Sequence, residues 1–395
     1  MPLSSCPAPT PRPASRRLRA AAVVAVGLAV VMPGAASVAA TPEPHGDVRL
    51  RRQIEEFVRS PGGPPGIIAV LRRDGHTRVL RAGVADLGTG RRPHIDDHMR
   101  IASTAKAFSG AVALSLVDRG LLSLDDTLRE RLPQLPPAWG EVTLRQLLQH
   151  TSGLPDYSRD PEFVRIVVAD PRHRFDSRRL LDFVADEPLR FAPGTRYQYS
   201  NSDNIAVALM AEAATGIRYE RLLRDLVHRP LGLGDTSLPQ GHRMPEPYLH
   251  GYDVTPPGPP QDVSEVLGAS GLWASGGIVS TPADMTRFVR GYTGGALFGG
   301  AVERQQRRWI DGASEPAGPG RNTAGLALFR YQTRCGVVLG HTGNTPGYTQ
   351  LIAATPDGRR SLVFSVTSQI NQATAPDQVS RLRAVQEDFV CALLR

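Results

Sequence analysis

Ser103-Thr104-Ala105-Lys106 contains the only lysine in the chain. The sequence holds 46 Lys plus Arg, and every other one of them is Arg. Arginine stays protonated in proteins, whereas a lysine amine loses its proton readily on burial or beside another cation. A position that keeps lysine in so Arg-biased a chain therefore points to a deprotonatable amine. Ser103 stands three residues before it, and on a helix i and i+3 share a face. A neutral amine beside a hydroxyl activates a nucleophile. A coding bias that left one stray lysine is the plain alternative, so the pair needs support from elsewhere in the chain.

Around this stretch the chain divides by pattern. Val48 to Arg59 reads as an amphipathic helix. Gly66 to Leu71 and Thr77 to Val84 are apolar β-rich runs on either side of Asp74-Gly75, a hairpin signal. Ser103 to Arg119 is helical and ends at Gly120. From there to Arg290 the pattern is mostly helices and loops, including Leu144 to Gln149, Ser177 to Asp186, Asn204 to Thr215 and Pro282 to Tyr292. Extended runs return at Ala324 to Tyr331, Gly336 to Gly340, Tyr348 to Ala354 and Ser361 to Thr367. Pro376 to Leu394 closes the chain as an amphipathic helix. The expected fold is α/β in the α+β sense. An antiparallel sheet is built from both ends of the chain (about 47–102 and 312–395) and flanked by the first and last helices. A mostly helical lobe (about 103–311) lies beside it. Ser103 then starts the helix that leads from sheet to lobe, where sites tend to lie.

The first forty residues differ from the rest. Arg12, Arg16, Arg17 and Arg19 precede an apolar run from Ala20 to Met32 and the small residues Ala36-Ser37-Val38-Ala39-Ala40. This reads as a signal peptide over 1–40, followed by a hydrolase domain over 41–395 in an exported protein without a stable membrane anchor. Removing four arginines from the 46 cations leaves 42 against 38 acids, so the balance falls from +8 to +4. That is too mild, and too unclustered, for a nucleic-acid binder. Cys6 leaves with the leader, and Cys335 and Cys391 remain. In an exported chain two cysteines favour one disulfide, with two separate buried thiols as the alternative.

Two further stretches carry chemistry. Tyr199-Ser200-Asn201 places a phenol and an amide two residues apart, on one face if the loop is extended. A phenol beside a cation can pass protons, and an amide can orient a substrate or hold the lysine. A packed tyrosine and a helix-capping asparagine is the other reading. His341-Thr342-Gly343 ends an expected strand, and Gly343 leaves room for a ligand along the edge. The backbone N–H of Asn344 can then join that of Ser103 around an oxyanion. An ordinary strand-end turn is the alternative. His150, His173, His228, His242 and His250 show no metal spacing and read as structural or surface. No metal and no cofactor is expected.

Together the motifs run S-x-x-K at a helix start, Y-x-N in a loop and H-T-G on a late strand. In this order they resemble the serine β-lactamase and D,D-peptidase superfamily, in its class C-like branch. Arg100-Ile101-Ala102, Gln149-His150-Thr151-Ser152-Gly153-Leu154, Ala192-Pro193-Gly194, Ser280-Thr281 and Cys335-Gly336 extend the resemblance from about Ile67 to Cys391. It implies a β-lactamase/transpeptidase-like fold, Ser103 as acylated nucleophile, Lys106 as its proton acceptor and Tyr199 as the shuttle to the leaving group. Asn201 contacts Lys106 and the substrate amide, Thr342 helps hold the substrate carboxylate, and Cys335 pairs with Cys391. Where related carboxypeptidases grip that carboxylate with an arginine, this chain has Phe329. Arg330 beside it, on the opposite face of the strand, is the candidate. His341 replaces a lysine common in the superfamily and is largely neutral at pH 7. The implied activity is that of a secreted, monomeric D-alanyl-D-alanine carboxypeptidase acting on peptidoglycan peptides or another small acyl substrate, with β-lactams as acylating inhibitors. An esterase or β-lactamase on the same scaffold, or a non-hydrolytic β-lactam or wall sensor, are the rivals.

Overall fold

The two apolar runs beside Asp74-Gly75 pair as β1 (Gly66–Arg73) and β2 (His76–Gly83) in a computed structural model, which describes residues 45–255 and 258–395. Asp74 and Gly75 both have positive φ, 52° and 82°, as a two-residue turn matching strand twist requires. Six strands follow late in the chain: β3 (Ile310–Asp311), β4 (Arg321–Ala324), β5 (Phe329–Thr333), β6 (Gly336–Thr345), β7 (Tyr348–Ala354) and β8 (Ser361–Val366). They join the hairpin in one antiparallel sheet of order β2-β1-β8-β7-β6-β5-β4-β3. The expected leader at 1–40, with Cys6, lies outside the described residues.

The five longest helices among the described residues are α1 (His45–Val58), α2 (Ala105–Asp118), α3 (Asn201–Thr215), α4 (Pro282–Thr293) and α5 (Pro376–Leu394). Strand alternation sorts them onto two faces. Ile67, Ala69 and Leu71 of β1 pack with Leu50, Ile54 and Phe57 of α1 and Leu382, Val385 and Phe389 of α5. Ile68 and Val70 point the other way, into a core shared with Phe108 and Val112 of α2, Ile205 and Leu209 of α3 and Phe288 of α4. Helix α2 is buried from Ala105 to Leu116 without a break, as a central helix surrounded by protein must be. Among the described residues no helix is long and apolar enough to cross a membrane.

Four local expectations shift. Ser103 lies in a 3-10 turn (Ala102–Thr104), and α2 itself begins at Ala105. Ala102 sits at φ +49°, a left-handed conformation that costs a non-glycine residue energy and interrupts a regular helix start. Asn201 is the first residue of α3 rather than part of an extended loop. The run Ala324–Tyr331 is broken into β4 and β5, with Ala327 at φ +50° between them. Strand β6 does not stop at Gly340 but continues to Thr345, so the H-T-G motif lies inside it. Cys335, in the β5–β6 turn, is bonded to Cys391 of α5, with Cα atoms 5.1 Å apart, within the usual disulfide range.

Candidate active site

The 3-10 turn and the first turn of α2 put Ser103 and Lys106 on one face, as their spacing predicts. Nζ of Lys106 is 3.2 Å from Oγ of Ser103, 2.7 Å from Oδ1 of Asn201 and 2.8 Å from the carbonyl oxygen of Ser275. Lys106 is fully buried. Burial disfavours its charged form and pulls the pKa down to about 7; Asp156, Glu315 and Asp203 oppose that pull. A neutral amine has two N–H donors and one lone pair. The two acceptors, Asn201 Oδ1 and Ser275 O, take the donors, which leaves the lone pair facing the Ser103 hydroxyl.

Asn201 is held for this task from behind. Its Nδ2 donates to Oδ2 of Asp156 at 3.2 Å and to Oγ of Ser158 at 2.9 Å, so its oxygen is the end that faces Lys106. Tyr199, just before α3, lays its ring 5.0 Å from Nζ of Lys106. Its hydroxyl is buried and has no hydrogen-bond partner among the described residues. Burial pushes this phenol well above its ordinary value, and the Ser103 side chain acts against that shift. Tyr199 is therefore a proton-bearing phenol beside an amine poised near neutrality.

Strand β6 supplies the opposite wall. It pairs with β5 only as far as Gly340, while its pairing with β7 continues to Thr345. Among the described residues, one edge of β6 is thus free of a strand partner from His341 onward, which suits an extended substrate. A Cβ on Gly343 would stand 2.4 Å from the carbonyl oxygen of Ile101 and 3.1 Å from the nitrogen of Ser103. Only glycine lets β6 lie this close to the nucleophile's backbone. Ser103, Tyr199, Asn201 and Asn344 line one cavity of about 620 Å3, together with Glu315 and Arg383.

His341, Thr342 and Arg330 do not themselves line that cavity, although Thr342 bonds a residue that does. Nδ1 of His341 is 2.6 Å from the carbonyl oxygen of Thr342; the ring is buried, and burial pushes its pKa down to about 3. The hydroxyl of Thr342 donates to the carbonyl oxygen of Pro316 at 2.5 Å. Arg330 does not line the cavity and donates to Gln332 at 2.8 Å. The arginine that does line it is Arg383 of α5, bonded to the carbonyl oxygens of Gly318 and Gly320 at 3.0 and 2.7 Å. Among the described residues no three His, Cys, Asp or Glu side chains are grouped to hold a metal.

Sequence reasoning missed Ser275, Asp156, Ser158, Glu315 and Arg383. Ser275 acts through its main chain, which carries no side-chain signature. Asp156 caps, and Ser158 belongs to, a short 3-10 helix (Tyr157–Arg159) far from Asn201 in sequence. His150, read as structural, also borders the site: its ring lies 4.5 Å from that of Tyr199.

Comparisons with known proteins identify relatives of the chain. The chain is 31% identical over 234 residues to D-alanyl-D-alanine-carboxypeptidase/endopeptidase AmpH of Escherichia coli (strain K12), covering 57% of each chain. It is 33% identical over 199 residues to Esterase EstB of Burkholderia gladioli, covering 47% of this chain and 50% of that one. The matched part is thus about half the length of these relatives. A D-stereospecific amidohydrolase from Streptomyces sp. superposes with a TM-score of 0.73 at 26% identity, covering 85% of this chain and 98% of the other. The Beta-lactamase family model matches residues 50–386, a span that takes in the Ser103 turn, the start of α3 and the free edge of β6. Matched by this model over most of its length, the chain belongs to the Beta-lactamase family.

Proposed function

We propose that this chain is an exported serine hydrolase that works through an acyl-enzyme, with peptides ending in D-alanyl-D-alanine as its substrates and β-lactams as acylating inhibitors. One observation carries the chemistry: a fully buried amine, brought to neutrality at about pH 7, with its lone pair on the Ser103 hydroxyl. Lys106 takes the Ser103 proton as Oγ attacks the substrate carbonyl carbon. The N–H groups of Ser103 and Asn344 face the oxyanion that forms. Collapse of the tetrahedral intermediate breaks the bond to the leaving nitrogen. That nitrogen takes a proton from Tyr199, which regains one from Lys106. Water then enters by the reverse path, gives up a proton to the same pair and releases the acid. The resemblance and the carboxypeptidase among its relatives support the peptide as substrate. The test is labelling with a fluorescent penicillin together with D-alanine release from a D-Ala-D-Ala peptide. Neither signal in wild type, or both unchanged in Ser103→Ala, ends this reading.

The charge of the cleft favours a second reading, an esterase or amidase. The Thr342 hydroxyl is engaged with Pro316, Arg330 faces elsewhere, and His341 is uncharged. Arg383 is already bonded to two carbonyls, and Glu315 adds an acid to the lining. A substrate without a terminal carboxylate meets no penalty in such a cleft. Turnover of a short p-nitrophenyl ester, a D-amino acid amide and the D-Ala-D-Ala peptide, side by side, separates the two.

A further inference from the structure

The loop His150-Thr151-Ser152-Gly153 contributes nothing to the cavity lining, yet it grips the segment that presents Tyr199. Its His150 carbonyl accepts from the N–H of Gln198 at 2.8 Å, and its Thr151 carbonyl from that of Gly194 at 2.7 Å. His150 is buried and held at φ +57°, a strained backbone for a residue with a side chain. Its ring lies 4.5 Å from the Tyr199 ring, tilted by 35°, and 6.0 Å from the ring of Tyr197, edge-on. Tyr199 is thereby in contact with both an imidazole and the Lys106 amine.

His150 is tied in turn to Asp203, in the first turn of α3 and two residues beyond Asn201. Nδ1 of His150 is 2.7 Å from Oδ2 of Asp203, whose Oδ1 accepts from the Ser152 hydroxyl at 2.5 Å. Both side chains are buried. The N–H of Ser200 also points at Nδ1 of His150, at 3.5 Å. A main-chain N–H can only donate, so this contact, at the long limit of a hydrogen bond, favours an unprotonated Nδ1 whose one lone pair is shared, with the hydrogen of the 2.7 Å contact coming from the carboxyl.

We propose that Asp203 carries a proton and donates it to His150, and that this uncharged pair is the positioning device that holds the Tyr199 ring over Ser103 and Lys106. The inference rests on the reading of Ser103, Lys106 and Tyr199 as the reacting groups. Burial acts in the same sense on both partners, raising the Asp203 carboxyl and lowering the His150 imidazole to about 3. The charges that reach the pair are Lys106, Asp156 and Glu315. A protonated His150 would place a second cation against the Tyr199 ring, within reach of Lys106, and compete with it. An uncharged pair holds the phenol without that cost. It also joins the loop of His150 to the helix of Asn201, so one link fixes both groups that flank the lysine.

The test uses the full-length protein, with kcat and KM measured on a p-nitrophenyl ester across pH. His150→Leu and Asp203→Ala are expected to lose about 100-fold in kcat with KM little changed, the lower range for a displaced acid–base group. Asp203→Asn is expected to stay within about threefold of wild type with the same pH profile, because its amide donates to Nδ1 and accepts from Ser152 as the acid does. In 15N spectra of the wild type, the His150 ring should remain neutral with an unprotonated Nδ1 between about pH 5 and 9. Asp203→Asn as impaired as Asp203→Ala, an imidazolium signal for His150, or His150→Leu with normal kcat each overturns the inference. The spectra decide it even if a variant fails to fold. Activity that survives Ser103→Ala removes the underlying reading instead.

Discussion

The Lys106 amine lies 2.8 Å from the carbonyl oxygen of Ser275, an acceptor that cannot be protonated at any ordinary pH. With Asn201 Oδ1 on a second hydrogen, this fixes the direction of the amine's lone pair toward Ser103. Lys106→Arg keeps a cation but removes the lone pair, since a guanidinium does not deprotonate. Acylation by a fluorescent penicillin should fall by about 1,000-fold, within the range for loss of a general base. Circular dichroism should show the fold retained. Near-normal labelling would mean that Lys106 serves only as a fixed charge.

Acylation should also follow the protonation of that amine. Below about pH 7 Lys106 carries a proton and cannot accept another, so kcat/KM should fall about tenfold per pH unit. Above it the rate should level off. Neither His150 nor His341 should add a limb, since burial takes both down to about 3. Tyr199 should add none up to about pH 10, because burial moves its phenol upward. A pH–rate profile of the ester reaction checks all three.

Gly343→Ala places a methyl 2.4 Å from the Ile101 carbonyl oxygen, a main-chain atom that cannot turn aside. Strand β6 must move away from Ser103. A shift of this size at the reacting centre should cost about 100-fold in kcat/KM. Overpacking costs about 1–3 kcal/mol of stability. Thermal melts and kinetics on the same preparation compare the two effects.

Glu315 tests the charge preference of the cleft. It is exposed at the cavity mouth, 3.9 Å from the equally exposed Arg159. Glu315→Lys should raise kcat/KM for the peptide with a free carboxylate by about fivefold relative to the neutral ester, an effect that added salt reduces. An unchanged ratio would show that the substrate's charged end lies elsewhere.

Much of this architecture is legible in local chemistry. Asp74-Gly75 announces its hairpin because that turn needs two positive φ values, and α5 matches its amphipathic pattern from Pro376 to Leu394. Lys106 stands out because its neighbours in composition are all arginines. What pattern does not reveal is set by contacts distant in sequence. Gly340, Gly343 and Asn344 are poor strand formers, and the register with β7 keeps this stretch extended. Ala327 takes a left-handed φ in a turn packed against Gly110 of α2, where even a methyl would meet its Cβ at 2.2 Å. Asn201 reads as a loop residue, yet Asp156, Ser158 and Lys106 claim its amide at the helix start. The Ser275 carbonyl and the His150–Asp203 pair have no spacing for a motif to capture.

The chain's one lysine, fully buried, bears on how the protein meets its own chemistry. An activated acyl group on Ser103 can pass to any amine that reaches it. Apart from its α-amine this chain presents none, since its surface cations are guanidinium groups, which are poor acceptors for acyl transfer. One copy cannot become the acceptor for another through a lysine. Amine-directed crosslinkers and labels should likewise mark the folded protein only at that α-amine and leave it active, and react at Lys106 only once it unfolds.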